Sequence, residues 1–492
     1  LLSRRQRQMC IRDRMRTFSN FAWMFMRTEG DYNFSTGSRG RGNLSSVANP
    51  YFLFPQIYNF RYNIYSSEWP VANRAIELYL QKKSENEGWE RQINGLSNNE
   101  KANLLLEKHT FKELLADVEQ RNLQNNIVGL EASRIFARSE INMGVDAFRD
   151  SLYAMLKRNT FLNIKFENML DTLGQMSRTD IYSSLKEWEQ LTPLPFYSIG
   201  EPELTKVVNK GGEEFFVLKV LVSNNSDYDG IIQMNVLQNG WWYQPLEDPR
   251  ARKKVEIAAH TTKEFVSVWE EQIREVEVNT MISGNLPYMI RQSIGNVKQE
   301  RNKIVKDSIY TLPESSLEMP GEIIVDNEDS TLFVLSTPPV VGLLPKWLDE
   351  VEETPFKYSG ISWWRAPLQW TATTNAKYYG KYIRSAYVIK SGDGSQTATW
   401  KIPVPEAGQY ELYYYVFKND ELRWNDRLQG EYHFRVAYDS EVEDAYINLR
   451  KANEGWEQLG TYYFSADTVR VVLTDECKLR SVTADAVKIV KR

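Results

Sequence analysis

Histidine and cysteine are scarce in this chain of 492 residues. The three histidines, His109, His260 and His433, lie far apart, whereas a short metal motif needs two histidine rings on one helix face. A disulfide framework needs several cysteines, and only Cys10 and Cys477 are present. The sequence therefore excludes a short histidine-pair metal motif and a disulfide-stabilised fold.

Long apolar runs are also missing. A membrane-spanning helix needs about 20 consecutive apolar residues, and proline interrupts the best candidate, residues 333–348, at three positions. The formal net charge of -5 does not favour a protein that binds nucleic acid through its phosphates. With 42% hydrophobic and 25% charged residues, the composition is that of a globular protein. We expect neither a membrane span nor a nucleic-acid partner.

The amino-terminal end differs from the rest of the chain. Residues 1–16 contain six arginines and a single aspartate, without the apolar core of a signal peptide. Residues 3–14, SRRQRQMCIRDR, resemble a translated sequencing-adapter read-through from metagenomic assemblies. We therefore interpret residues 1–14 as a sequencing artefact, so that the native start and any signal peptide lie upstream. The alternative is a basic arm that binds nucleic acid.

Residues 15–195 are predicted to be mainly helical. The clearest helix places Val145, Phe148, Leu152 and Leu156 on one apolar face. Prolines at the end of the region terminate helical structure, because proline lacks the N–H donor and favours an extended preceding residue. Other helices are expected at residues 69–83, 104–120, 163–172 and 180–189.

Two β regions follow the helical region. Residues 215–222 form an almost continuous apolar strand, and residues 410–416 alternate about one apolar face. Short strands separated by turn residues are typical of β-sandwiches. The predicted fold class is therefore α+β and multidomain, with a helical region, a β-sandwich at 196–312 and a second antiparallel β-sandwich at 321–492.

Four motifs of the helical region occur in a family's order: NIVGLEASRIF at 126–136, GVDAFRD at 144–150, FENML at 166–170 and TPLPF at 192–196. Together they resemble aminopeptidase N-like zinc metallopeptidases, the gluzincins, from the helix after the catalytic centre to the small β-sandwich. The resemblance covers about residues 45–290. It implies a peptidase-like fold for the helical region.

The same resemblance indicates that the catalytic residues of the family are missing from this chain. The family holds zinc with HExxH on a helix and a more distant glutamate. Residues 49–53, NPYFL, align with HExxH, Ala72 aligns with the glutamate, and residues 126–129 lack the family's oxyanion-stabilising tyrosine. We therefore expect a degenerate peptidase fold without a metal or another cofactor. The alternative is a C-terminal fragment of an active zinc aminopeptidase whose catalytic residues lie upstream.

The last region carries a second ordered set of motifs: SGDGS at 391–395, PVPEAG at 403–408, GWEQLGTYYF at 455–464 and TADAV at 483–487. They resemble the golvesin C-terminal, xanthan-lyase carbohydrate-binding-like domain, over about residues 321–492. The resemblance implies a β-sandwich attached to secreted or cell-surface bacterial proteins. It also implies a polysaccharide or a cell-surface glycan as ligand.

Exposed aromatic side chains are the candidates for binding a sugar, because sugar C–H faces stack on aromatic rings. Trp400 and Trp456 lie in strand-like motifs and are expected in the core. An inserted segment around residues 335–375 lacks a strong period, Tyr378 and Tyr379 come just after it, and Trp424 lies in a polar loop. The alternative for these tryptophans is packing between domains. The ligand-binding candidates are Trp363, Trp364, Trp370, Tyr378, Tyr379 and Trp424.

These features favour a non-catalytic bacterial protein, on the cell surface or in the periplasm. Its C-terminal sandwich would bind a glycan or a protein, on a peptidase-like scaffold. Two alternatives stay open at this point: the fragment of a zinc aminopeptidase, and a purely structural module that binds nothing small.

We expect no aminopeptidase activity on aminoacyl substrates, with or without added zinc, because the aligned ligand positions carry no zinc-binding side chain. A fluorogenic aminoacyl assay tests this, with a known zinc aminopeptidase as the positive control. Zinc-dependent turnover that persists through repurification would contradict the expectation.

Overall fold

The computed structural model describes residues 62–80, 87–160, 162–208, 211–237, 248–301, 305–313, 321–336, 356–361, 366–418, 430–439 and 441–492. The chain divides into two compact units, one of residues 1–85 and 131–184, the other of residues 86–130 and 185–492. The predicted artefact at 1–14 and the HExxH-aligned residues 49–53 lie outside the described residues.

Within the described ranges, helices dominate up to residue 186. No described helix is both long and apolar enough to cross a membrane. The helices are α1 Ala72–Leu80, α2 Glu87–Asn94, α3 Asn98–Leu106, α4 Phe111–Ala116, α5 Gln124–Met143, α6 Val145–Arg158, α7 Phe166–Ser177 and α8 Ile181–Lys186.

The first unit is built around apolar helix faces. The four residues predicted to share one face of α6, from Val145 to Leu156, are all buried, which confirms that prediction. Tyr79 of α1 packs on Phe136 and Phe148, with ring centroids 4.8 and 6.3 Å away. Ala72, at the aligned position of the zinc-binding glutamate, is fully buried in α1.

One predicted helix start is wrong. Strand β1 (Tyr62–Tyr65) pairs in parallel with β2 (Leu162–Lys165), so residues 163–165 are extended and α7 begins at Phe166. Ile64 and Ile164 face each other in this pair and are both buried. Strand pairing satisfies backbone groups that the first turn of a helix would leave without partners.

The predicted helix at 104–120 is divided in two. The side chains of Ser97 and Thr110 each accept a hydrogen bond from the backbone N–H three residues later. The carboxylates of Glu100 and Glu113 in turn accept from the backbone N–H of the cap residue. These two capping boxes start α3 and α4. Because Thr110 opens a new helix, the apolar period of 104–120 spans two helices rather than one.

The middle sandwich consists of two facing sheets. One has the strand order β11-β4-β5-β8-β12, with β3 beside β5, and the other has the order β10-β9-β6-β7. Leu218 and Val220 of the first sheet and Ile232 and Val278 of the second share one core. The strands are β3 Tyr197–Ile199, β4 Glu203–Val208, β5 Glu214–Asn224, β6 Gly230–Leu237, β7 Arg252–Ile257, β8 Thr261–Trp269, β9 Glu275–Asn279, β10 Met289–Ser293, β11 Val297–Arg301 and β12 Ser308–Pro313.

The C-terminal sandwich has sheets of order β13-β24-β18-β21 and β14-β17-β22-β19-β20, and a short sheet β15-β16-β23. Leu412 and Ile489 of the first sheet and Trp400 and Val471 of the second share one core. The strands are β13 Glu322–Val325, β14 Phe333–Ser336, β15 Thr371–Thr374, β16 Ser385–Lys390, β17 Thr397–Pro403, β18 Gly408–Val416, β19 Glu431–Tyr438, β20 Glu441–Asn448, β21 Gly455–Phe464, β22 Thr468–Thr474, β23 Ser481–Ala484 and β24 Val487–Lys491.

Pairing between the named strands of the two sandwiches is antiparallel, as predicted, except between β11 and β4, which are parallel. β11 follows β10 of the second sheet in the chain and lies at the edge of the first sheet, beside β4. The antiparallel sheets of the two β regions confirm the sandwich part of the predicted fold class.

Backbone contacts join α2 and α3 to the C-terminal region inside the second unit. A Cβ on Gly95 would lie 2.4 Å from the Ser359 backbone, and one on Gly360 would lie 1.8 Å from the Ile93 carbonyl oxygen. The Thr374 hydroxyl donates to the Gly95 carbonyl over 2.7 Å. Glycine permits this approach because it has no side chain.

We expect Trp400→Ala to lower the free energy of unfolding by about 3–5 kcal/mol, the usual cost of truncating a buried tryptophan. Trp400 is 0% exposed and its indole N–H donates to the Asp485 carbonyl over 3.1 Å. Chemical denaturation of the full chain measures the change. Val442→Ala, at a residue that is 63% exposed on β20, is the matched control and should change stability little. Equal stability of the two variants would contradict the burial of Trp400.

Candidate functional site

The outer surface of sheet β13-β24-β18-β21 is rich in aromatic residues. Along β18, Tyr410, Leu412 and Tyr414 are buried, and Tyr413 and Tyr415 between and beyond them are half-buried. Successive side chains of a strand point to opposite faces. Tyr413 and Tyr415 therefore lie on the side of the sheet away from the core.

Three aromatic rings contact one another at one end of this surface. Tyr415 pairs across the strands with Trp456 of β21, and their ring centroids are 5.1 Å apart. Tyr379 lies 5.5 Å from Tyr415 and 5.0 Å from Trp456. All three side chains are half-buried. We call Tyr379, Tyr415 and Trp456 the aromatic triad.

A lysine extends this surface along the sheet. The Lys488 ammonium lies 4.9 Å from the centroid of Trp456 and 5.4 Å from that of Tyr413, within cation–π range. It also donates to Glu322 over 2.9 Å. The Tyr413 hydroxyl donates to Glu411 over 2.6 Å. Lys488 and Tyr413 are thus already engaged with protein groups.

Tyr379 is held in the triad by a tied loop, residues 375–384, which we call the Tyr379 loop. The Asn375 N–H donates to the Arg384 carbonyl over 3.1 Å and closes its base. The Tyr379 N–H donates to both carboxyl oxygens of Asp485, each 3.3 Å away. At Gly380, whose φ is 156°, a Cβ would lie 1.9 Å from the Ile383 carbonyl oxygen. The backbone position of Tyr379 is therefore strongly restricted.

Several polar atoms around the triad have no hydrogen-bond partner within the described part of the chain. They belong to the hydroxyls of Tyr379 and Tyr415, the indole N–H of Trp456, and Nε and Nη2 of Arg384. Nη1 of Arg384 donates to the Ala376 carbonyl over 2.8 Å. The two hydroxyls, the indole N–H and the Nε and Nη2 atoms are not fully buried. They are therefore open to hydrogen bonds with a ligand.

The two tyrosine hydroxyls of the triad remain protonated. Burial, followed by the nearby carboxyl of Asp485, raises the pKa of Tyr415 to about 12. Burial also raises the pKa of Tyr379 above its usual value, with Asp326 as the next cause. Both hydroxyls can thus donate a hydrogen bond as well as accept one.

Two carboxyl groups that interact electrostatically with Tyr379, those of Asp326 and Asp485, favour their protonated forms. Burial, and then the charge of Asp326, holds the pKa of Asp485 well above its usual range. Burial raises the pKa of Asp326 to about 8.

Among the residues that the structure describes, no group of three or more His, Cys, Asp or Glu side chains is placed to hold a metal ion.

The ligand-binding candidates predicted from the sequence differ in their exposure and in their contacts. Tyr379 belongs to the triad, whereas Tyr378 is 5% exposed and packs on Phe417 with centroids 4.6 Å apart. Trp370 is 8% exposed and belongs to the core of the C-terminal sandwich, so its ring is not a free platform. Trp363, Trp364 and Trp424 lie outside the described residues.

Two members of the triad were not among the predicted candidates. Trp400 is in the core as predicted, but Trp456 is half-buried on the outer surface, so its prediction as a core residue is wrong. Tyr415 was not among the predicted ligand-binding residues, although the alternation of β18 indicates that its side chain points away from the core. A residue directly before the inward Val416 must point outward.

Residues 364–491 match the family model described as the Golvesin C-terminal domain. The match confirms the golvesin resemblance over this range, which includes the whole aromatic triad. It does not extend into residues 45–290, where the aminopeptidase resemblance stays a prediction. No curated protein sequence matches the chain.

Solved structures with carbohydrate-related names show only distant similarity. A GH26-CBM35 β-(1,4)-mannanase from Podospora anserina is 11% identical, with a TM-score of 0.19, over 35% of this chain and 28% of that chain. A CBM35 from Cellvibrio japonicus Abf62 is 12% identical, with a TM-score of 0.18, over 26% and 83%. A Bacteroides uniformis β-glucuronidase is 11% identical, with a TM-score of 0.17, over 59% and 30%. At such TM-scores none of these likenesses establishes a shared fold.

We expect the stability of the full chain to fall between about pH 4 and pH 8. The folded protein keeps a proton on Asp326 up to a pKa of about 8, whereas the unfolded chain releases it near the usual value of about 4. The contribution of this group is therefore complete below about pH 4 and is lost as the pH rises through about 8. Asp485 acts in the same direction.

Calorimetry at pH 5, 6.5 and 8 measures this dependence, and Asp326→Asn should reduce the fall in Tm across the series by several degrees. Asp393→Asn, at an exposed turn, is the control and should keep the fall. An identical fall in the wild type and in Asp326→Asn would show that Asp326 is not the titrating group.

Proposed function

We propose that the C-terminal sandwich is a glycan-binding module and that the aromatic triad is its sugar-binding platform. The observation that carries this function is the contact of three half-buried rings beside polar atoms that no group of the described residues engages. Sugar rings need these two elements together, because their C–H faces pack on aromatic rings and their hydroxyls need hydrogen-bond partners.

The restricted backbone of the Tyr379 loop supports the proposed function. A platform that is already ordered loses little conformational entropy when a ligand binds. Two hydrogen bonds from the Tyr379 N–H, the closed base of the loop and the steric requirement at Gly380 all limit its movement. The triad side chains are only partly buried, so their exposed surface is available to a ligand.

For the chain as a whole, we infer a non-catalytic binding protein of the bacterial surface or the periplasm. The golvesin resemblance supports this location, because it implies secreted or cell-surface proteins. The absence of zinc-binding residue types at the aligned positions supports the non-catalytic part. A degenerate aminopeptidase-like origin of residues 15–195 belongs to this proposal, and the fragment of an active zinc aminopeptidase is its alternative.

We expect Trp456→Ala to weaken glycan binding by the full chain at least tenfold, equivalent to about 1.4 kcal/mol, because it removes the ring that contacts both tyrosines. A glycan array identifies the ligand, and titration calorimetry then measures the change in Kd. The matched control is Tyr463→Ala, an aromatic residue of the same strand that is 61% exposed and outside the triad. It should leave Kd unchanged.

A thermal melt of each variant separates loss of binding from loss of folding. Two results would overturn the proposed function: no glycan retained by the wild-type chain on the array, or equal Kd values for the wild type and Trp456→Ala. A protein ligand captured by the wild type and lost by Trp456→Ala would assign the triad to a protein partner instead.

A further inference from the structure

We propose that the triad takes an acidic glycan and that Arg384 binds its carboxylate. This inference rests on the proposed glycan-binding function and names the class of sugar. The features that carry it are the position of Arg384 at the end of the Tyr379 loop and, among the described residues, a guanidinium edge without a partner and no carboxylate at ion-pair distance.

The backbone of Arg384 is anchored on two sides. Its N–H donates to the Leu286 carbonyl over 2.6 Å, and its carbonyl accepts from Asn375 at the base of the Tyr379 loop. The Nη1 atom is bound to the Ala376 carbonyl. Within the described part of the chain the Nε–Nη2 edge has no partner, and this edge carries two parallel N–H donors that match the two oxygens of a carboxylate.

No carboxylate in the described part of the chain lies within 4 Å of the Arg384 guanidinium. The acidic groups that interact with it electrostatically are Glu201, an exposed residue between β3 and β4, and Asp485. Asp485 favours its neutral form, because burial raises its pKa. The charge of Arg384 is therefore left without a close counter-ion.

Arg384 is half-buried, and burial lowers its pKa. A partly desolvated cation without a counter-ion is costly, and a ligand carboxylate that pairs with it restores lost electrostatic stabilisation. Arg384 closes the base of the loop that carries Tyr379, and its Nη1 atom is bound 2.8 Å from the carbonyl of Ala376, three residues before Tyr379. The guanidinium therefore lies against the loop that forms one side of the triad, and we expect a sugar on the triad to present its carboxylate there.

General electrostatic attraction does not account for acidic-glycan binding by this chain. Its formal net charge is -5, so a polyanion is repelled on average. Binding of an acidic polysaccharide therefore requires a local site, and its loss on substitution of one arginine identifies that site.

The probes are polygalacturonate, alginate and hyaluronan, each paired with its methyl-esterified form, which removes the negative charge and keeps the sugar backbone. We expect the full-length wild type to bind at least one acidic polymer at least tenfold more tightly than its ester in affinity electrophoresis. Arg384→Gln should abolish this preference and keep the weaker binding of the ester. Lys381→Gln removes the same charge from an exposed neighbour in the Tyr379 loop and should keep the preference.

A second variant, Glu201→Gln, tests the inference without altering Arg384. It removes a negative charge that interacts electrostatically with the guanidinium and should tighten binding of the acidic polymer two- to fivefold, with no effect on the ester. A thermal melt of Arg384→Gln shows whether the fold persists. If Arg384→Gln does not fold, the response of Glu201→Gln decides.

The outcomes distinguish this inference from the proposed function. Equal binding of acidic and esterified polymers, or a preference that survives Arg384→Gln, overturns the acidic-glycan inference while glycan binding by the triad stands. Binding of neutral glycans on the array without retention of any acidic probe has the same meaning. If the chain binds no glycan at all, both are overturned.

Discussion

Two consecutive residues, Asp485 and Ala486, hold the candidate binding surface together. The buried carboxyl of Asp485 accepts the N–H of Tyr379, and the carbonyl of Ala486 accepts the N–H of Tyr415 over 2.9 Å. The Asp485 carbonyl also accepts the indole N–H of Trp400 in the core. One short link between β23 and β24 thus positions two rings of the triad and connects them to the centre of the sandwich. It does so with a carboxyl group whose neutral form is favoured by burial.

Residues of the middle sandwich also contact the loop that carries Tyr379. The loop before β10 pairs with the Tyr379 loop, because Leu286 donates its N–H to Tyr382 over 3.1 Å and accepts that of Arg384. Phe196 packs on Tyr382 with ring centroids 5.5 Å apart. The end of the loop that bears Arg384 therefore depends on Leu286, almost 100 positions earlier in the chain, and on Phe196, which comes earlier still. The matched Golvesin C-terminal range contains the triad, but it does not contain this support.

Sequence reasoning was most successful where the signal is local. The apolar face of α6, the strand at 215–222 and the alternation of β18 follow from spacing alone, because burial on one side imposes a period on the chain. It was less successful at element ends. The three residues before Phe166 pair with β1, a partner about 100 residues away, and no local period reports such a pairing.

The sequence by itself determined the order of a helical region and two antiparallel sandwiches, the golvesin-like motifs and the burial of Trp400. These depend on local period and composition. Only the tertiary structure decided which aromatic residues form the triad. Tyr378 and Tyr379 are adjacent and chemically identical, yet one packs on Phe417 and the other joins Tyr415 and Trp456. The choice is made by the hydrogen bonds of the Tyr379 loop to Asp485, which comes 106 residues later, and a one-dimensional pattern contains no information on that contact.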